Sequence, residues 1–439
     1  MATKRWIGNA PAVAQVNTYL FAGTWEANDV ITFTIGTKSV STTATSTTIA
    51  TIGAALVTFW NALDSTAYPE FAEITASFST ATLTLTADTA GKPFTVTIST
   101  TETGGGAADA QTIEGTTSTT GTVATANNGP NVYSSAMNWD TGAVPVDADD
   151  LYFDSGSVDC LYDLSYSAVT PASITIGPGY SGNIGLPETN EDNSATPYRE
   201  YRTTSLTLGT SGDATNIAVS INGGGGRIKL NHGSSQYTAL VKNTGQRLEA
   251  QIPAVLLMGT HASSSLSVNR GDVGVSFFGG ETSTILTLNV GYQNNPAGDS
   301  QVVLGAGVTL TNATIVQTGG TLEINSATSG TATITQYDGT LTLQAGGQVG
   351  LTVRGGRCVY NSTGTLGGAP VVSGSGWLDF SQDLRAKAVT NAIDLYGADA
   401  KLSDPNKVIS SLVVDVDESV NSANINIGTN IRLTRGTPS

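Results

Sequence analysis

Ala313-Thr-Ile-Val-Gln317 recurs as Ala332-Thr-Ile-Thr-Gln336, and Gly320-Thr-Leu-Glu-Ile324 recurs as Gly339-Thr-Leu-Thr-Leu343. Both pairs share one offset, 332 − 313 = 339 − 320 = 19 residues. A fixed short period signals coils stacked on one another. Nineteen residues at about 3.3 Å each give a perimeter of about 63 Å, room for two or three short strands per turn. A helical repeat needs roughly 33 residues or more. A β-sandwich would leave the offset unexplained.

Working outward, weaker copies follow as Leu351-Thr-Val-Arg-Gly-Gly356, Gly374-Ser-Gly-Trp-Leu378 and Val389-Thr-Asn-Ala-Ile393 with Gly397. Short β-rich runs ending at Gly or Asn extend from about Ser205 to Leu433. About 230 residues then make about twelve coils and a rod of roughly 58 Å at about 4.8 Å per coil. Each coil buries its inward Val, Ile and Leu against the next, so no coil is stable alone.

The other segments read differently. Val16–Phe21, Ile31–Ile35 and Lys38–Thr43 alternate as strands, with Gly36-Thr37 as a hairpin turn. Ile49, Ile52, Leu56, Phe59, Trp60 and Leu63 fall mostly three or four apart, which predicts a helix over 48–63 with Ser46 or Thr47 as N-cap. Trp60 lies on that apolar stripe and reads as core. Ala72–Phe78, Thr82–Thr86 and Phe94–Ile98 return to strand alternation.

The expected fold is therefore mainly β: a small N-terminal α+β module at 1–102, one helix covering one sheet, followed by a β-solenoid of about 19-residue coils. Residues 103–137 read as a Gly/Thr-rich linker with room for one strand. Residues 138–204 read as solenoid entry and cap, with a polar acidic loop at Pro187–Tyr201, and 205–439 as solenoid and C-terminal cap. In the entry, Asn138-Trp139 precedes Pro145, and Trp139 is placed to cover the open first coil.

Composition bounds the function. Charged residues are 12% of the chain and the net charge is −16. Such a chain repels phosphates and anionic lipid headgroups, which argues against nucleic acid and membrane partners. No run of about 18 apolar residues occurs, and Met1–Gly8 leads into no signal-peptide h-region. The composition nonetheless suits an extracellular β-protein, and either release within a virus particle on cell lysis or a non-standard secretion route reconciles the two.

Candidate chemistry is sparse, so no catalytic, cofactor-binding or metal-binding residue is assigned and no cofactor is expected. The two histidines, His232 and His261, stand in no zinc spacing, and no Gly-x-Ser-x-Gly elbow occurs. Asn222–Gly226 lacks the Lys-Ser/Thr of a phosphate loop and reads as a corner. Asp379 and Asp383, beside Trp377 and Phe380, are the pair to weigh, because glycoside hydrolysis needs two carboxylates about 5–9 Å apart. A solvated turn with a core Trp is the competing reading. Asp147, Asp149, Asp150 and Asp154 offer oxygen ligands for calcium without EF-hand spacing, and a capping loop of solvated acids competes. Asp415, Asp417 and Glu418 read the same way. Cys160 and Cys358 read as buried thiols or one long-range bridge.

Two groups of motifs carry a resemblance. Ile31–Ser99, with Pro69-Glu-Phe-Ala-Glu-Ile-Thr-Ala76, Thr82-Leu-Thr-Leu-Thr86 and Gly91-Lys-Pro-Phe-Thr-Val-Thr97, resembles a module of predicted phage structural proteins. Asn138-Trp139, Gly142, Val144-Pro145 and Asp150 are similar to the start of solenoid regions in bacterial surface and phage proteins. With Gly226-Arg-Ile-Lys-Leu230, Gly259-Thr-His261 and Leu378-Asp-Phe-Ser381, most of the chain resembles uncharacterised bacteriophage or prophage virion proteins. The resemblance implies a capsid decoration (cement) protein, fibre or spike, located in the virion after assembly in the bacterial cytoplasm. Its implied partners are itself, as a homotrimer, other virion proteins such as the major capsid protein, and host surface glycan. A tail spike degrading surface polysaccharide and a bacterial adhesin are the alternatives.

Overall fold

The computed structural model describes residues 2–103, 111–185, 205–209, 216–223, 225–244, 252–291, 300–409, 413–427 and 432–435. The acidic stretch Pro187–Tyr201 lies outside them. Two long parallel sheets dominate, one of 14 strands and one of 12. Successive coils contribute one strand to each, so the chain winds as a β-solenoid. Shorter ladders such as Ser283–Thr284, Val308–Thr311 and Thr328–Ser329 form a third side in some coils.

The 19-residue offset is one complete coil. Thr314 pairs with Thr333 and Ile315 with Ile334 in the first sheet, and Thr321 pairs with Thr340 in the second. Ile315, Ile334, Leu322 and Leu341 point inward and are fully buried. Gly320, Gly339 and Gly356 stack at one corner with φ of +69°, +85° and +72°. A Cβ on Gly339 would meet the Gly320 carbonyl oxygen at 2.3 Å, so only glycine turns the chain this close to the coil below.

Coil length varies elsewhere. Ile334 pairs with Leu351, 17 residues on, and Thr287 with Thr314, 27 residues on. The ladder also starts earlier than the repeats indicated. Asp150–Gly156 and Ser173–Tyr180 already belong to it, with Ser173 pairing Ala218, 45 residues on. That long excursion hides the first coils from any periodicity in the sequence.

The first rung comes from the far N-terminus. Thr3–Arg5 pairs in parallel with Asp150–Tyr152, and the outer edge of this strand is covered. Asp140 Oδ1 accepts from the Arg5 amide, the Arg5 carbonyl accepts from the Asp140 amide, and Trp6 bridges Trp139. The α+β module is thus inserted between the first rung and the rest of the solenoid, rather than preceding it. Its two ends meet, with the Val13 amide donating to the Asn128 carbonyl at 2.8 Å.

Strand pairing in the module runs past residue 102. Thr122–Thr125 and Thr112–Ile113 both pair with Val16–Ala22, and Ser118–Thr119 pairs with Thr97–Thr101. These strands lie in the stretch expected to be a linker, where Thr and Val supply strand preference despite the low complexity. The module has two antiparallel sheets instead of one. Its helix runs Ile49–Asn61 with Thr48 at the N-cap position, not Ser46 or Thr47, and without a side-chain capping bond; Ser46 Oγ instead accepts the Thr48 amide. Trp60 is core as expected: 3% exposed, donating its Nε1–H to the Ile74 carbonyl at 2.7 Å.

Candidate functional site

The second sheet carries the carboxylates that the sequence singles out. Asp379 ends the strand Trp377–Asp379 and is fully buried. Its Oδ2 accepts from Arg357 Nε at 2.8 Å and also from Nη2; its Oδ1 accepts the Ser381 amide at 2.8 Å. Asp383 lies in the following turn. It accepts from the Arg385 amide and from Arg385 Nε, and it is ion-paired with Lys387. Arg385 and Lys387 together hold the Asp383 carboxyl well below the usual carboxylate range. Lys387 is buried and also donates to the Asn361 carbonyl at 2.9 Å.

The pair therefore divides. Asp379 closes its own turn at Ser381 and pairs across coils with Arg357, and Asp383 closes a turn with Arg385 and Lys387. A general acid must hold a proton near neutral pH, and Asp383 cannot. The aromatic groups do not form a sugar platform either. Arg357 covers one face of Trp377 at 4.5 Å from the ring centroid, and Lys401 occupies the register position on the next coil. The Trp377 Nε1–H donates to Ser403 Oγ. Phe380 is buried and packs against Tyr360, 5.6 Å between centroids. Trp377 thus serves as a rung in a stacked column, while Phe380 is core.

The acids of the entry segment each have a partner, backbone for two and a side chain for two. Asp147 accepts the Thr170 amide, Asp149 accepts the Ala2 and Val146 amides, Asp150 accepts from Ser173 Oγ, and Asp154 pairs with Arg5. Asp149 is buried, whereas Asp147 is exposed and Asp150 and Asp154 are half-buried, so the reading of solvated acids holds for all but Asp149. Among the described residues no group of three His, Cys, Asp or Glu converges to hold a metal. Asp417 caps its own turn at Ser419. Asp394 stands in register with Asp415, and burial, with Asp415 beside it, raises its pKa.

Cys160 and Cys358 are both buried free thiols, so the long-range bridge does not form. Burial pushes both thiols up. His232 is buried against Tyr237 at 4.6 Å and its Nδ1 faces the Met258 carbonyl at 3.1 Å. Burial lowers its pKa to about 4, so the ring is neutral at pH 7. His261 accepts the Ser263 amide two residues on and takes no part with His232. Asn222 ends one ladder strand and Ile228 begins the other, so 222–226 is a corner; Gly224 lies outside the described residues.

Sequence reading missed two devices. One is Asn138, fully buried where the chain passes between module and solenoid. Its Oδ1 accepts the Ala10 amide at 2.7 Å, and its Nδ2 donates to the carbonyls of Gly129 and Val132. The other is a set of buried glutamines. Gln317 Nε2 donates to the Thr340 carbonyl and Gln336 Nε2 to the Arg357 carbonyl, each on the next coil; Gln348 Nε2 donates back to Ser326. The recurrence of Gln317 at Gln336 was the available signal.

The chain matches no protein-family model, no curated protein and no solved structure.

Proposed function

We propose that the chain is a non-catalytic structural protein of a bacteriophage particle, an oligomeric surface component with a projecting β-solenoid. The observation that carries this reading is the architecture: an α+β module set into the first coil, and a long rod stacked away from it. Fourteen rungs at about 4.8 Å make a rod of roughly 62 Å. A module at one end suits attachment to other virion proteins, such as the major capsid protein. The rod's hydroxyl and amide surface suits extended binding, including to host glycan, because such groups hydrogen-bond without transferring protons at neutral pH. The ion pairs that hold Asp379 and Asp383 favour this reading over a polysaccharide-cleaving spike. The particle itself rests on the resemblance of the motifs.

Mass spectrometry of purified particles induced from a host carrying the gene tests it. Stoichiometric presence of the chain is expected, and particles that lack it overturn the proposal. Incubation with capsule or lipopolysaccharide tests the non-catalytic part. New reducing ends that vanish in Asp379→Asn or Asp383→Asn would establish the spike enzyme instead.

A further inference from the structure

The two long sheets differ in charge. From Ser173–Tyr180 to Val371–Ser373 the first sheet stacks nine strands. Their outward side chains form two columns, seven positions running from Ser173 to Thr333 and nine running from Thr175 to Val371, sixteen in all. None is charged, and none is buried. Thr238, Thr287, Thr314 and Thr333 mark the first column; Leu240 and Val316 lie in the second. The second sheet is the internal control. Nine of its strands, from Ile228–Asn231 to Lys401–Ser403, place eighteen positions outward. Six of those are charged: Lys229, Asp272 and Asp379 are buried there, and Glu323, Arg357 and Lys401 reach solvent.

The uncharged face is bounded. Asp150 precedes it and Asp394 follows it on the same ladder. Lys242, exposed on the same side of the strand Tyr237–Asn243 two positions past Leu240, and Arg354, just after the strand Leu351–Val353, are the charges that edge the face at its corner. Tyr337 lies at that corner too, just after the strand Thr333–Gln336, and is 49% exposed.

We infer that this face packs against further copies of the same chain, which deepens the oligomeric part of the proposed role. Copies of a chain carrying −16 repel one another, and a bare hydroxyl face is where they approach at least cost. A partner of opposite charge would be recognised through complementary charges, which this face lacks. The repeated register presents the same row to every copy, as symmetric assembly requires. Nine strands at about 4.8 Å and four residues at about 3.3 Å give about 43 by 13 Å, on the order of 560 Å² in projection. A stable interface takes about 800 Å² per partner, so the bordering corner, with Tyr337, joins the contact.

The test is the oligomeric state of the full chain by native mass spectrometry and light scattering at about 10 µM, a concentration at which a specific assembly persists. The wild type is expected to be oligomeric, and to stay so in about 1 M salt, which screens charge-held contacts. Thr314→Glu with Thr333→Glu should weaken association on the order of 100-fold, because like charges meet across the contact. Thr321→Glu with Thr340→Glu, the matched pair on the second sheet, should leave it unchanged. Circular dichroism melts check that both variants fold. A monomeric wild type overturns the inference and leaves the face to another occupant. An oligomer that the first pair leaves intact shows that another face is used. Neither result touches the particle assignment, which the mass spectrometry of particles decides.

Discussion

Trp139 shows how one side chain closes the solenoid. It is 1% exposed and meets Trp6, Tyr133 and Phe153 with ring centroids 5.4, 5.2 and 5.9 Å away. Its Nε1–H donates to the Tyr133 carbonyl. Trp139→Ala leaves a cavity over the first coil and should cost about 3–5 kcal/mol, read as a lower denaturation midpoint in urea. An unchanged midpoint would refute the capping role. His232 contributes a pH dependence of definite sign. The folded state keeps its ring neutral down to about pH 4, whereas the unfolded chain protonates near pH 6.5. The stabilisation is full above about pH 6.5 and is lost as pH falls to about 4, about 3 kcal/mol in total. Urea titrations across that window should show the loss, and His232→Phe should flatten it.

Among the elements, the module is the unit whose boundaries matter. Its core includes Ile113, which is fully buried beside Phe21 and Ile98, and the pairing of Val16–Ala22 is completed by strands beyond residue 102. A fragment of residues 13–128 should therefore melt cooperatively. A fragment ending at 102, the boundary read from the sequence, loses three strands and should melt lower or not at all. Equal melting curves would show that the late strands add nothing. The helix was legible because its apolar stripe is local. The three late strands were not, because their partners lie as far away as the Thr122–Thr18 pairing, 104 residues.

The whole molecule behaves as a stack, and stacks tolerate the loss of a unit when the register is kept. Deleting residues 314–332 joins Ala313 to Thr333 and recreates the Ala332-Thr333 junction. The deletion removes one complete coil, since Thr314 and Thr333 are register partners. The shortened chain should fold with unchanged β-sheet circular dichroism and a modestly lower melting temperature. Deleting ten residues from the same point would put a half coil out of register and should abolish cooperative melting. If both deletions melt alike, stability does not depend on the stacking.

What the sequence by itself determined is everything that repeats or alternates over short distances: the solenoid class, the 19-residue coil, the glycine corners, the inward Ile and Leu, and the module's helix. These follow from side-chain period and turn chemistry, which neighbouring residues express together. Tertiary structure alone decided the rest. Thr3–Arg5 becomes the first rung through pairing with Asp150, 147 residues away, and no local pattern announces such a partner. Asp379 meets Arg357 because they lie on adjacent coils, 22 residues apart, and the ion pair they form is invisible in the local sequence. The uncharged face likewise exists only after stacking, when residues scattered from Ser173 to Val371 are brought onto one side of one sheet.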